Sequence, residues 1–240
     1  MAANGDKATS SDEFWLFGYG SLIWKPPPHF DRRVPGWVNG YVRRFWQPAL
    51  ANHSQDHRGT PEAPGRVVTL IERSFWASLA DAHDSAPERV WGTVYRIEAA
   101  RVAEVKDYLD IREINGYTIH YTPFHPADGS DTIRTLVYIG TPDNDQFTGP
   151  QDPQALAEHI CRSEGPSGLN RDYLLGLEKA LDELSPESGD AHITDLSNRV
   201  REIEAKDAKA QAHIRLSEEP ASHEFRKVSS IDEQEETEKA

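Results

Sequence analysis

A chain of 240 residues, 37% hydrophobic and 9% aromatic, is long enough to bury one ordinary core and carry a solvated tail. Its formal net charge of -14 argues against nucleic acid and anionic membrane surfaces as partners. A single cysteine, Cys161, excludes an internal disulfide framework, and no apolar run approaches the roughly 20 residues needed to span a bilayer. Together with a polar start that lacks an apolar leader-like region, these features predict a cytoplasmic protein.

Residues 1–13 are small and polar and read as a flexible tail. Phe14-Trp15-Leu16-Phe17 is an apolar run stopped by glycines, the pattern of a short buried strand entering a turn. Further strands are expected over Trp37 to Trp46, Arg66 to Ile71, Val90 to Ile97, Tyr117 to Phe124 and Thr132 to Ile139. Asn52 to Gly65 reads as a loop and Ser74 to Arg89 as a surface excursion. Val102, Val105, Tyr108 and Leu109 fall at helical spacing, with Gly116 as a stop. A second helix follows Asp152 as cap and Pro153 as first residue, with Ala155, Leu156 and Ile160 on its apolar side. A third starts at a capping Asn170 and lines up Tyr173, Leu174, Leu177, Leu181 and Leu184. Residues 186–240 hold 14 acidic against 8 basic residues and one aromatic, Phe225. They are expected to form an acidic, mostly disordered tail, with a polar helix possible over Arg199 to Ile214. The domain is thus expected at 14–185. Strands without strict βαβ alternation predict an α+β fold, a small mixed β-barrel with flanking helices.

Several places can carry chemistry. Gly18-Tyr19-Gly20-Ser21-Leu22-Ile23 follows the first strand, and its glycines let backbone N–H groups approach a carboxylate or oxyanion. A plain strand-to-loop turn would explain the same glycines. Spacing excludes a dinucleotide fingerprint, whose third glycine would fall at Ile23, and a nucleophile elbow around Ser21. Glu113 stands where the first helix gives way to a strand, a junction able to aim a side chain into a cavity; a solvated helix face paired with Arg112 is the plainer reading. Gly165-Pro166-Ser167-Gly168 reads as a turn between helices, after which Tyr173 either points into a site or packs. His53, Asp56 and His57 have a loosely metal-like spacing. No His-Glu-x-x-His or cysteine pair accompanies them, so no metal is expected. Cys161, on the apolar side of a helix, is expected to be inert.

These segments together resemble one family. Phe17-Gly18-Tyr19-Gly20-Ser21-Leu22-Ile23-Trp24-Lys25-Pro26 is similar to the opening of ChaC-type γ-glutamylcyclotransferases. So are Arg43-Arg44-Phe45-Trp46-Gln47, Asp56-His57-Arg58-Gly59-Thr60-Pro61 with Pro64-Gly65-Arg66-Val67, and Trp91-Gly92-Thr93-Val94-Tyr95. Tyr108-Leu109-Asp110-Ile111-Arg112-Glu113, Gly116-Tyr117 and the 165–168 turn with Asn170 and Tyr173-Leu174 complete the set, in order from about 14 to 184. Ile114-Asn115 departs from the lysine that many relatives carry after the glutamate. The resemblance implies a small β-barrel with flanking helices and a glutathione-specific, fungal-like enzyme that forms 5-oxoproline and Cys-Gly without a cofactor. It implies Glu113 as acid/base, Gly18, Tyr19, Gly20, Ser21, Leu22 and Ile23 as the γ-glutamyl-holding loop, and Tyr173 as a pocket wall. A cyclotransferase for other γ-glutamyl amino acids or amines stays open, as does a non-catalytic binding module of the same fold. Oligomeric state is not assigned.

Overall fold

The computed structural model describes residues 13–49, 58–60, 62–113, 117–140 and 147–218. Its elements in chain order begin with β1 (Phe14–Gly18), a 3-10 turn (Ser21–Ile23), β2 (Phe30–Asn39) and β3 (Tyr41–Ala49). Next come β4 (Gly65–Glu72), α1 (Arg73–Trp76), β5 (Arg89–Ile97), α2 (Val102–Glu113), β6 (Tyr117–Pro126) and β7 (Ile133–Gly140). The chain continues with α3 (Pro153–Arg162), the two-residue strands β8 (Glu164–Gly165) and β9 (Gly168–Leu169), α4 (Asn170–Leu184) and α5 (Ala191–Glu218).

Five strands close a barrel in the order β1-β5-β2-β6-β7, and β3 and β4 form a separate antiparallel ribbon. Closure comes from a parallel contact of β1 with β7, Leu16 opposite Leu136, while β1 is antiparallel to β5. The expected α+β barrel is therefore present. β1 lacks polar alternation because both faces are covered. Trp15 and Phe17 join a large cluster with Tyr173, Leu174 and Leu177 of α4 and Ile160 of α3. Leu16 turns the other way, onto Leu22, Tyr95, Leu136 and Val105 and Leu109 of α2.

The expected strand over Trp37 to Trp46 is two strands. Gly40, at φ 84°, breaks it, and β2 then pairs inside the barrel while β3 pairs with β4. β2 also begins earlier than expected. Its first half, Phe30-Asp31-Arg32-Arg33, is solvent-exposed and so lacks an apolar signature. The 165–168 segment is a small hairpin, with Gly168 at φ 98°. In α3, Asp152 does cap, its carboxylate accepting from Ala155 N–H at 2.8 Å. The buried residues there are Leu156, Ala157 and Ile160, while Ala155 is exposed.

Asn170 is not the expected cap of α4. Leu169 holds that position, and the fully buried Asn170 amide faces β4. Its Oδ1 accepts from Arg66 N–H and its Nδ2 donates to Arg66 C=O, both at 2.7 Å, in the manner of a neighbouring strand. A buried amide with all its groups paired outweighs one capping bond.

The segment after 185 also differs from expectation. α5 carries Ile193, Leu196 and Val200 into the main cluster at 1%, 0% and 0% exposure, with Ile203 packed against it. Each such side chain contributes about 1.5–3 kcal/mol relative to exposure, so the packed core continues well past residue 185. The chain forms two compact units, 1–204 and 205–240. Of the second, residues 205–218 are described and helical. Residues 219–240, like the expected N-terminal tail over 1–12, lie outside the described residues. Among the described residues no helix is long and apolar enough to cross a membrane.

Candidate functional site

The apolar β1 delivers the chain to Gly18, where the loop folds back so tightly that an added Cβ would meet Leu22 Cβ at 2.5 Å. The turn that follows is closed by Ile23 N–H on Gly20 C=O (2.9 Å), Trp24 N–H on Ser21 C=O (3.1 Å) and Lys25 N–H on Ser21 C=O (2.8 Å). Ser21, Leu22 and Ile23 are buried. Two phenol hydrogen bonds tie the loop to the barrel, one from each side. Tyr19 donates to Tyr138 C=O at 2.8 Å, and Tyr95 donates to Leu22 C=O at 2.7 Å. Burial raises the Tyr95 pKa, so this donor keeps its proton.

Tyr173, in the first turn of α4, is 3% exposed. Its ring stands edge-on to Trp24 and to Phe45, with centroids 5.6 and 5.8 Å away. Its hydroxyl reaches the loop: a Cβ on Gly20 would lie 2.9 Å from Tyr173 Oη and 2.9 Å from Val68 Cγ2. The glycine loop and Tyr173, far apart in sequence, are therefore in contact.

α2 packs Val105 and Leu109 in one cluster with Leu22 of the loop. Glu113 ends this helix one turn beyond Leu109, at the position that shares its face by helical spacing. Four residues later Tyr117 pairs with Gly140. The side chains of Asp110, Arg112, Glu113 and Tyr117 lie outside the described residues, as do His53, Asp56 and His57. Among the described residues no three His, Cys, Asp or Glu side chains gather as a metal site. Cys161 is half-buried and packs on the main cluster.

Sequence reasoning did not single out a buried polar layer behind Tyr173. Arg43 Nη1 lies 3.5 Å from Asp190 Oδ2, both nearly fully buried, and its guanidinium also donates to Trp91 C=O. Burial lowers the Arg43 pKa, opposed by the nearby Asp190, Tyr173 and Tyr19. Arg44 Nε donates to Asp81 Oδ2 at 2.6 Å, an oxygen shared with Trp76 Nε1 at 2.8 Å. Phe45 N–H donates to His192 Nε2 at 3.1 Å. His192 Nδ1 meets His83 Nδ1 at 3.0 Å, and His83 Nε2 meets Asp195 Oδ2 at 3.0 Å. Arg199 Nε also donates to that oxygen, at 2.8 Å. The one available signal was a pair of arginines, Arg43-Arg44, inside an otherwise apolar strand, since buried guanidinium groups require partners.

The sequence model of the ChaC-like protein family matches residues 14–203. A Schizosaccharomyces pombe protein named glutathione-specific gamma-glutamylcyclotransferase is 44% identical over 191 residues, 78% of this chain and 92% of that one. A Saccharomyces cerevisiae protein of the same name is 39% identical over 215 residues, 75% of this chain and 90% of that one. Human glutathione-specific gamma-glutamylcyclotransferase 1 is 36% identical over 190 residues, 78% of each chain. A crystal structure of the yeast glutathione-specific cyclotransferase aligns with TM-score 0.68 at 36% identity, covering 80% of this chain and 97% of that chain.

Proposed function

We infer the reaction from kinship: this chain belongs to the ChaC-like protein family. It is an enzyme, a glutathione-specific γ-glutamylcyclotransferase, converting glutathione to 5-oxoproline and cysteinylglycine. The observation that carries this reading is coverage. The family model runs through the barrel, the glycine loop, α4 and the start of α5, and relatives bearing that name cover 75–78% of this chain at 36–44% identity.

The chemistry asks little of the protein beyond positioning and one proton carrier. The substrate's own α-amino nitrogen attacks its γ-carbonyl carbon, so no serine, thiolate or metal is required. Holding that geometry converts the attack into a favoured intramolecular step, which can supply several kcal/mol of the barrier. Glu113 takes a proton from the α-ammonium group, and the freed amine forms the ring C–N bond. Glu113 gives that proton to the cysteinyl nitrogen as its C–N bond breaks, and the second proton shed by the ring nitrogen leaves with the product amine as ammonium. A carboxylate does this well when its pKa rises from about 4.3 toward about 6–7, as an apolar surrounding makes it do. Support for Glu113 is its place on α2 one turn beyond Leu109, the residue that shares a cluster with Leu22 of the loop. Gly18, Tyr19, Gly20, Ser21, Leu22 and Ile23 hold the γ-glutamyl group, and the backbone N–H groups of Gly20 to Leu22 stabilise the oxyanion. Tyr173, whose hydroxyl stands against Gly20, forms a pocket wall. A reducing cytoplasm suits a thiol substrate and a chain with one cysteine.

The test is release of 5-oxoproline from reduced glutathione by the purified protein in EDTA, with γ-glutamylalanine as competitor. Turnover of glutathione alone is expected. Preference for γ-glutamylalanine replaces the substrate assignment, and turnover of neither refutes the enzyme.

A further inference from the structure

Two contacts join the head of α5 to alternate residues of β3. Asp190 lies against the Arg43 guanidinium at 3.5 Å, and His192 accepts the Phe45 N–H at 3.1 Å. Residues two apart on a strand share a face, and here that face is the one backing Tyr173. The Phe45 ring stands edge-on to the Tyr173 ring at 5.8 Å, and Arg43 lies near enough to the phenols of Tyr173 and Tyr19 for them to act on the guanidinium. Tyr173 in turn sets its hydroxyl against Gly20. Chemistry-bearing contacts thus run unbroken from α5, through β3 and Tyr173, to the glycine loop.

The hydrogen-bond donors define the state of this brace. Because Nε2 of His192 accepts from Phe45, the ring proton sits on Nδ1 and donates to His83 Nδ1. His83 then carries its proton on Nε2 and donates to Asp195. Asp190 is fixed as well, since its Oδ1 accepts from His192 N–H at 3.1 Å and its C=O from Thr194 N–H at 3.0 Å. The head of α5 is consequently a rigid block with one charge and one acceptor aimed at β3. A segment needed only to cover apolar surface would not bury an ion pair, which contributes little net stability.

We propose that Asp190 and His192 are positioning residues of the reaction, holding Arg43 and Phe45 so that Tyr173 stands at the correct distance from the glycine loop. This rests on the cyclotransferase reading above, and it assigns to residues beyond 185 a part in the site itself. Neither residue touches substrate; each acts through β3 and Tyr173.

The protein is made with fluorotyrosine in place of tyrosine, and the Tyr173 fluorine resonance is assigned by its loss in Tyr173→Phe. His192→Leu removes the acceptor and Asp190→Asn the charge, while His192→Gln keeps an acceptor at the Nε2 position. In His192→Leu and Asp190→Asn the Tyr173 resonance is expected to move, and kcat/KM to fall about tenfold to a hundredfold, the range for misplacing a site group by about 1 Å. His192→Gln is expected to restore the resonance and to bring kcat/KM within about threefold of wild type. Should either disruptive variant fail to fold, Asp190→Glu, which keeps the charge but moves it by one methylene, replaces it. An unmoved Tyr173 resonance in the folded variants overturns the proposal whatever the activity. Wild-type protein inactive on glutathione strikes the reading of function instead, and the resonance still decides the positioning.

Discussion

Replacing Gly20 with alanine probes the contact between the loop and α4 most directly. The new methyl would meet Tyr173 Oη and Val68 Cγ2, each at 2.9 Å. Carbon contacts are comfortable at about 3.5–4.0 Å, so the neighbours or the loop must separate by roughly 0.5–1 Å. Neither neighbour yields freely: Tyr173 is wedged between Trp24 and Phe45, and Val68 is 3% exposed in the main cluster. Forced methyl groups in packed sites cost about 1–3 kcal/mol of stability, which in a protein of this size lowers the melting temperature by about 2–10 °C. A displacement near 1 Å between a binding loop and the wall opposite it costs up to about a hundredfold in rate. We expect Gly20→Ala to remain folded, melt a few degrees lower, and release 5-oxoproline at about 1–10% of the wild-type kcat/KM. Gly189→Ala is the control, since nothing lies within 4 Å of its added Cβ, and it should match wild type in both assays. Wild-type turnover by Gly20→Ala with an unchanged melting temperature would refute the contact as a determinant of the site.

Glu113→Gln keeps size and hydrogen bonding but cannot take a proton; its turnover should fall about 10²–10⁴-fold with melting unchanged, while the exposed Asp107→Asn stays near wild type. Truncation should split at the packed part of α5. Ending the chain at residue 204 is expected to leave turnover within about threefold, whereas ending it at 185 removes Ile193, Leu196 and Val200 and should yield unfolded protein by circular dichroism. Stability should also decline with mild acid. His192 is held well below its ordinary value of 6.5, chiefly by burial and then by Arg44, His83 and Arg43. A depressed histidine is neutral in the folded state and protonated sooner in the unfolded one, so the unfolded chain binds more protons below pH 6.5. Its contribution is complete above that value and is lost as pH falls from it toward the lower folded value. The charged groups facing the His83–His192 pair are Arg43 and Arg44 of β3 and Asp190 and Asp195 of the α5 segment, with Arg199 on Asp195. His159, also lowered by burial, adds a loss of the same sign. The measurement is urea unfolding between pH 7.5 and 5.5, repeated with His192→Gln, which should flatten the slope. A slope unchanged by that substitution would remove His192 as its source.

Legibility in the sequence followed burial. β1 read correctly because a strand covered on both faces is apolar throughout, β5 because its buried run Val90 to Tyr95 is rich in β-branched and aromatic residues, and α2 and α4 because a helix packed on one side repeats at 3.6 residues. The start of β2 was hidden because Asp31, Arg32 and Arg33 are exposed, and no apolar pattern marks such residues. The later part of α5 is the polar helix expected over Arg199 to Ile214, while its packed head was hidden for a different reason. Its core contact is a single stripe, Ile193, Leu196, Val200 and Ile203, spaced three, four and three residues apart within a very polar stretch. Composition averages such a stripe away, while the spacing itself was there to be read. Asn170 shows where local rules yield: before a helix it reads as a cap, and only the neighbouring β4 backbone offers it two better bonds.

The candidate site was legible in part, and for a physical reason. The glycine loop announces itself because a close approach of backbone demands residues without Cβ atoms, and Gly18 and Gly20 each have a neighbour where a Cβ would stand. Nothing in the spacing joins Gly20 to Tyr173, or Arg43 to Asp190, because those contacts are made by the closure of the barrel and the return of α4 and α5. What the sequence did contain was a requirement without an address. Two arginines inside the apolar β3 must each find an anion or carbonyl partner, or the strand cannot be buried. Arg44 finds Asp81 before β5, and Arg43 finds Asp190 after α4, so the same demand pulls two distant segments onto one ribbon. The pair on Arg43 lies near the phenols of Tyr173 and Tyr19, and the segment that composition marks as a mostly disordered tail therefore begins with the two residues proposed to position the site.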